Sequence, residues 1–162
     1  MSESPHDFLI SYGYRHILKE TERRPYKDRA LNLHISLLPW NRGADPNFWS
    51  FFDDTPKGVS IHHLDQGVDT GDLIAQREYV FGENETLATS YAKLQTEIQK
   101  LFWSEVWPAM ERGTLPRIPQ KAGGSIHKKK DLESHRDLLK ARGWDTPVKF
   151  VVEAGRHHRQ QS

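Results

Sequence analysis

The 162 residues suffice for one domain with a substantial core, and 23 basic against 22 acidic side chains leave a formal net charge of +1. That balance provides no field to steer nucleic acid or a membrane surface, and no run of about 18 apolar residues is present to span a bilayer. The absence of cysteine excludes disulfides and thiolate chemistry and fits a reducing cytoplasm, the location expected here.

Phe8-Leu9-Ile10 begins the first strand, Tyr12-Gly13-Tyr14 reads as a turn, and the charged stretch Lys19–Arg29, broken by Pro25, as a short irregular helix and loop. A second strand covers Leu31–Ile35. Across Leu31–Pro39, apolar and polar residues alternate, placing Asn32, His34 and Ser36 on one face. Asp45 and Pro46 predict the N-cap and first turn of a helix through Phe52. Further strands are predicted over Gly58–Leu64 and Asp72–Val80.

Leu87, Tyr91, Leu94, Ile98, Leu101/Phe102 and Val106 recur at helical spacing, predicting a long helix over Asn84–Arg112. Asn84 or Thr86 would cap it, Pro108 would end or kink it, and Trp103 and Trp107 read as core. The mean hydropathy of −0.76 is polar for a globular chain, and the polar excess falls mostly after Gly113. There Pro116 and Pro119 predict an extended linker, Ser125-Ile126-His127 a short strand, and Asp131–Arg142 a helix stopped by Gly143. Arg156–Ser162 reads as a disordered tail. The expected class is α/β, with a core over residues 1–113, an extension over 114–155 and a tail over 156–162.

The chemistry lies in a neutral amide and an imidazole side by side at a strand end, followed by carboxylates on the glycine-punctuated loop Leu64–Asp72. Asn, His and Asp together suit transfer of a carbonyl-type group to a nucleophile. Donors aimed at a developing oxyanion contribute about 10²–10³ in rate, and acid–base assistance about 10²–10⁴. Asn32 supplies donors and His34 an ionisable ring; Asp69 beside His34 would raise its pKa and fix its orientation. Taken singly, each element also has an ordinary reading: a structural Asn-x-His, a turn at Asp69–Asp72, half-buried His62 and His63, and a solvated Lys128–Lys130.

Asn32-Leu33-His34-Ile35-Ser36-Leu37-Leu38-Pro39 with Arg42-Gly43 closely resembles the signature of the 10-formyltetrahydrofolate-dependent formyltransferases. Gly58-Val59-Ser60-Ile61-His62, leading to Val68-Asp69-Thr70-Gly71, resembles the second signature, and Ser11–Leu18 the segment lining the folate pocket. The similarity covers roughly Asp7–Gly113. It implies a partial Rossmann-like sheet flanked by helices, with a long helix after the last core strand and a polar C-terminal extension.

The resemblance also implies that 10-formyltetrahydrofolate donates a formyl group to an amine on a small acceptor, with no metal. Asn32 would bind the formyl oxygen, His34 would stabilise charge or act as acid–base, and Asp69 would move protons. Tyr14, Arg15, His16, Ile17 and Leu18, with Gln66, Gly67 and Val68, would hold the pterin, supported by Ser36 and His62. The Trp40–Trp49 run is most similar to members that modify amino sugar nucleotides.

Such members begin with a β-α-β region ahead of the strand that here opens at Phe8. The expectation is therefore a sheet without its first strands, an exposed apolar edge and a tendency to form homodimers. Alternative readings are a non-catalytic protein that binds folate or a partner chain, a hydrolase of the formyl donor, and a metallohydrolase using His34, His62, His63 and Asp69. The last is opposed by the adjacency of His62 and His63, which points them to opposite faces of a strand.

Overall fold

The computed structural model describes residues 7–162. Four strands form the main sheet, in the order β1 (Leu9–Tyr12), β2 (Ala30–His34), β4 (Gly58–His63), β5 (Leu73–Glu78). β1 and β2 run parallel, with Tyr12 beside Leu33, whereas β4 is antiparallel to both β2 and β5. Between β1 and β2 lie α1 (Glu20–Arg23) and a 3-10 turn at Lys27–Arg29, the irregular helix and loop expected there.

In β2 and β4 the period-two alternation separates two faces. Leu31, Leu33, Val59 and Ile61 face α3 (Leu87–Leu101), where Leu94, Ile98 and Leu101 complete an apolar core. On the opposite face Asn32 sits across from His62, and His34 across from Ser60. This side of the sheet is polar yet buried, so its groups must find hydrogen-bond partners within the protein.

α2 (Pro46–Phe52) starts with Pro46 in the first turn, as its fixed φ permits. Asp45 occupies the N-cap position but accepts no capping hydrogen bond, because it is left-handed with φ 51°. Burial raises its carboxyl pKa against the pull of Lys129. α3 is capped by Thr86, whose side chain accepts from the Thr89 N–H at 3.1 Å.

Several expectations change along this helix. Tyr91 is 50 % exposed and lies off the buried stripe; Ser90 is buried instead, its hydroxyl donating to Asn47 Oδ1 at 3.1 Å. The chain widens into a π turn at Phe102–Val106, closed by the Trp107 N–H donating to the Phe102 carbonyl, and resumes as α4 (Trp107–Arg112). Pro108 lacks an N–H and crowds the preceding turn, so the helix absorbs it through the wider π geometry. Gly113, at φ 64°, ends it. Trp103 and Trp107, read from sequence as core, are 61 % and 39 % exposed; each stands one position past the buried row of Phe102 and Val106.

The segment after Gly113 is bound to the sheet. Leu73 and Ile118 exchange backbone hydrogen bonds, and β6 (Ile126–His127) pairs parallel with β3 (Arg42–Gly43). The helix expected over Asp131–Arg142 is a run of 3-10 turns at Lys129–Leu139, followed by another at Gly143–Asp145. The expected tail is α5 (Val148–Gln161). Its Val148 and Val151 pack with Phe48, Trp49, Phe51 and Phe52 of α2, and a Cβ on Gly155 would lie 1.8 Å from the Phe52 carbonyl oxygen. Polar composition masked a helix held by a narrow apolar stripe on its first turns. Among the described residues no strand pairs with the outer edge of β1, where Ile10 and Tyr12 are 41 % and 40 % exposed. No helix among them is long and apolar enough to cross a membrane.

Candidate active site

The polar face of β2 and β4 is closed over by the loop between β4 and β5. Leu64 donates its N–H to the Ala30 carbonyl at the start of β2, and the loop then folds back over the sheet. Two devices hold its turn. Asp65 Oδ1 accepts from the Gly67 N–H at 3.0 Å and the Thr70 hydroxyl at 2.7 Å, while Gly71 packs where a Cβ would lie 1.7 Å from the His63 carbonyl oxygen.

Asp69 itself is left-handed, with φ 53°. Such a conformation costs a non-glycine residue roughly 1–2 kcal/mol, less for Asp, whose short side chain bonds locally. It turns the carboxylate down onto the sheet. Oδ1 accepts from Asn32 Nδ2 at 3.2 Å and lies 3.3 Å from His62 Nε2. Oδ2 accepts from the Gly43 N–H at 2.8 Å and lies 3.6 Å from His34 Nδ1. The structure therefore brings Asn32, His34 and Asp69 together, with His62 in the same cluster.

The histidine tautomers follow from their carbonyl partners. His34 Nε2 is 2.9 Å from the Asn41 carbonyl oxygen and so donates to it, leaving Nδ1 as the nitrogen turned toward Asp69. His62 Nδ1 donates to the His63 carbonyl at 2.8 Å, so its Nε2 faces Asn32 Nδ2 at 3.3 Å. His63, on the opposite face, donates from Nε2 to the Pro116 carbonyl at 2.9 Å. Both histidines are buried, not half-buried.

Burial opposes charge on Asp69, but the attraction of His34, the close approach of His62 and the hydrogen bond from the Gly43 N–H outweigh it. The carboxyl is held well below its usual range and stays ionised. For His34 the balance tips the other way. Burial lowers its pKa, the nearby His62 adds to this, and Asp69 and the Asn41 carbonyl only partly compensate. Sequence led to the expectation of an imidazole raised by its carboxylate; the structure gives a neutral ring at neutral pH, because a fully enclosed imidazolium loses more hydration than one ion pair returns.

The remaining expected residues fall into two groups. Ser36 lies beyond the end of β2, in a turn where its hydroxyl donates to the Trp40 carbonyl at 2.8 Å. Ser60 holds the same turn, donating to the Ser36 carbonyl at 2.7 Å and accepting from the Leu38 N–H at 3.0 Å. Tyr14, Arg15, His16 and Ile17 are exposed and Leu18 half-buried, on the irregular segment that leaves β1 beside the His34 end of β2. Gln66 and Gly67 are exposed and Val68 is half-buried, on the Asp69 loop. The Tyr14–Leu18 segment follows the carboxyl end of β1, the kind of strand end beside which open α/β sheets bind ligands; the Gln66–Val68 segment lies on the loop that leaves β4 near the start of β2.

Sequence reasoning missed Asn41, Gly43 and Gln120. Asn41 and Gly43 act through backbone groups, for which no side-chain pattern exists; the positive φ of Asn41, 56°, matches the Asn preference for that region. Gln120 donates from Nε2 to the carbonyls of Asp69 and Gly71 at 2.9 and 2.8 Å from a segment read as linker. Among the described residues no group of three or more His, Cys, Asp or Glu side chains is arranged to hold a metal ion.

A neutral imidazole, a fixed anion and an amide donor thus stand together over the polar face of this sheet. Residues 1–106 match the family model described as formyl transferase. The chain is 52 % identical to the formyltransferase PseJ of Anoxybacillus kamchatkensis, with a TM-score of 0.88 over 93 % of this chain and 79 % of that one. That crystal structure contains UDP-4,6-dideoxy-4-formamido-L-AltNAc and tetrahydrofolate. Rv3404c of Mycobacterium tuberculosis, described as an uncharacterised protein provisionally assigned as a sugar N-formyltransferase, is 28 % identical, with a TM-score of 0.74 over 81 % of this chain and 55 % of its own. Phosphoribosylglycinamide formyltransferase of Bacillus halodurans is 30 % identical, with a TM-score of 0.62 over 66 % of this chain and 56 % of its own. The chain belongs to the formyl transferase family.

Proposed function

We propose that the protein transfers the formyl group of 10-formyltetrahydrofolate to the amine of an amino sugar nucleotide, using Asn32, His34 and Asp69. The observation that carries this is the single cluster of His34 Nδ1, Asp69 and the Asn32 amide, at 3.6 and 3.2 Å from the carboxylate oxygens. The 52 % identity to a formyltransferase holding a formamido sugar nucleotide and tetrahydrofolate supports the donor and acceptor classes.

The donor supplies a formyl carbon open to attack and the nitrogen that leaves. One Asn32 N–H is held by Asp69 Oδ1, which sets the plane of the amide; the other, on the His62 side, is the donor for the formyl oxygen as negative charge develops there. The attacking amine forms a bond to carbon and must lose a proton. His34 takes it at Nδ1, since its Nε2 is committed to Asn41, and the depressed pKa leaves that lone pair free. Asp69 then faces an imidazolium, and its fixed negative charge stabilises the transient cation. His34 returns the proton to the departing donor nitrogen as the old carbon–nitrogen bond breaks, so the proton count closes. Asp69 is too weak a base to accept the proton itself, because its environment favours the anion.

Tyr14–Leu18 and Gln66–Val68 hold the pterin in this proposal, with Ser36 and His62 supporting the catalytic cluster. Residues 1–113 carry the triad and residues 114–155 complete its surroundings. The test is a turnover assay with 10-formyltetrahydrofolate and a panel of amino sugar nucleotides. Product N-formylation is expected; formate release at the same rate without an amine would instead indicate donor hydrolysis. Donor binding without either reaction would favour a non-catalytic folate-binding protein.

A further inference from the structure

Gln120 lies outside the matched family region and makes four hydrogen bonds, two to the Asp69 loop and two to Arg42. Its Nε2 donates to the Asp69 and Gly71 carbonyls at 2.9 and 2.8 Å, and its Oε1 accepts from Arg42 Nη2 at 2.8 Å and Arg42 Nε at 3.3 Å. The partners decide the amide's orientation, because carbonyls take only the NH₂ end and a guanidinium only the oxygen. Arg42 precedes Gly43 in β3, and the Gly43 N–H holds Asp69 Oδ2. A closed circuit results: the Asp69 carbonyl to Gln120, Gln120 to Arg42, Arg42 along the chain to Gly43, and Gly43 back to the Asp69 carboxylate.

We propose that Gln120 is a positioning residue for the formyl transfer described above, fixing the left-handed backbone of Asp69 and so the aim of its carboxylate at His34. The inference rests on that reading of the triad. Asp65 spans the same turn separately, accepting from Gly67 before Asp69 and Thr70 after it. Gln120 is the side chain that holds the Asp69 carbonyl itself. The segment bearing Gln120 is itself pinned on both sides, by the Leu73–Ile118 backbone pair and by the Ser125 N–H donating to the Pro39 carbonyl at 3.2 Å.

The test uses the full chain with Gln120→Ala and Gln120→Glu. Misaiming a group in the reacting geometry costs about tenfold to a hundredfold, so Gln120→Ala is expected to lose that much kcat with little change in the donor KM. Gln120→Glu keeps the size of the side chain and the bond from Arg42 but sets oxygen against two carbonyls; it is expected to lose at least as much. The amide resonance of Gly43 in the ligand-free protein, shifted by its bond to a charged carboxylate, is expected to move in both variants while the remaining spectrum stays dispersed. Wild-type kcat in Gln120→Glu would show that the side chain merely fills space, and would overturn the proposal. So would a Gly43 resonance that does not move, or a melting temperature that falls while kcat per folded molecule holds. Failure of the wild-type protein to transfer formyl to any amine would remove the functional reading instead, leaving the resonance as the test of positioning.

Discussion

The two faces of β2 and β4 carry the same backbone and opposite purposes. On one face, Leu31, Leu33, Val59 and Ile61 pack under α3, and their contribution is apolar area removed from water. On the other, His34, Ser60 and His62 are shielded almost as fully and Asn32 partly, yet every one is tied by hydrogen bonds to a neighbouring turn, loop or carbonyl. The difference shows how one sheet separates stability from chemistry. The apolar face tolerates adjustment of shape, whereas the polar face depends on each partner standing at its place, because an orphaned buried polar group loses its hydration and recovers nothing.

The comparison breaks hardest at the triad. His34→Ala and Asp69→Asn are expected to lower kcat by about 10²–10⁴, measured under single turnover, while both proteins remain folded by circular dichroism. Asn32→Ala should lose about 10²–10³ through the missing donor. Across the sheet, Ile61→Ala should cost about 2–5 kcal/mol of stability, read from urea midpoints, with kcat per folded molecule retained. Ser60→Ala tests the boundary between the two behaviours. It strands the Leu38 N–H and the Ser36 carbonyl, so a loss of about 1–3 kcal/mol is expected, together with a lower kcat because the same turn leads to Asn41.

The smallest effects are those of pH. The lowered folded pKa of Asp69 means that its stabilising contribution is complete above the ordinary value of 3.8 and fades as pH falls through the depressed one. Urea midpoints of the wild type and Asp69→Asn should therefore converge below pH 4. His34 is also lowered from 6.5, so the acid limb that it imposes on kcat/KM should lie below that pH. Asp69→Asn removes a raising influence, so the His34 ring resonance should titrate at still lower pH in that variant.

How much of this was legible depended on distance along the chain. Period two placed Asn32 and His34 on one face, and glycines flanked Asp69, so local pattern found those residues. The sheet class and the two hairpin strands followed in the same way. Gln120 was invisible because its partners lie 51 and 49 residues away and are backbone carbonyls, which every sequence supplies. His34 was assigned the wrong direction of pKa shift because a motif reports a neighbouring carboxylate but not how completely a loop excludes water. Trp103 and Trp107 are exposed because the buried row runs through Ile98, Phe102, Val106 and Met110, and large apolar side chains one position past it do not reach the core. The helix over Val148–Gln161 was obscured by its polar final turns, although Val148, Val151 and Gly155 keep a helical spacing.

The circuit through Gln120 also carries a lesson about synthesis. Asn32, His34 and Asp69 leave the ribosome early, but the amide that steadies the Asp69 turn is translated 51 residues after it. A growing chain thus holds Asn32, His34 and Asp69 before it holds the strut that steadies them, and the cluster is completed by a stretch whose own sequence advertises nothing.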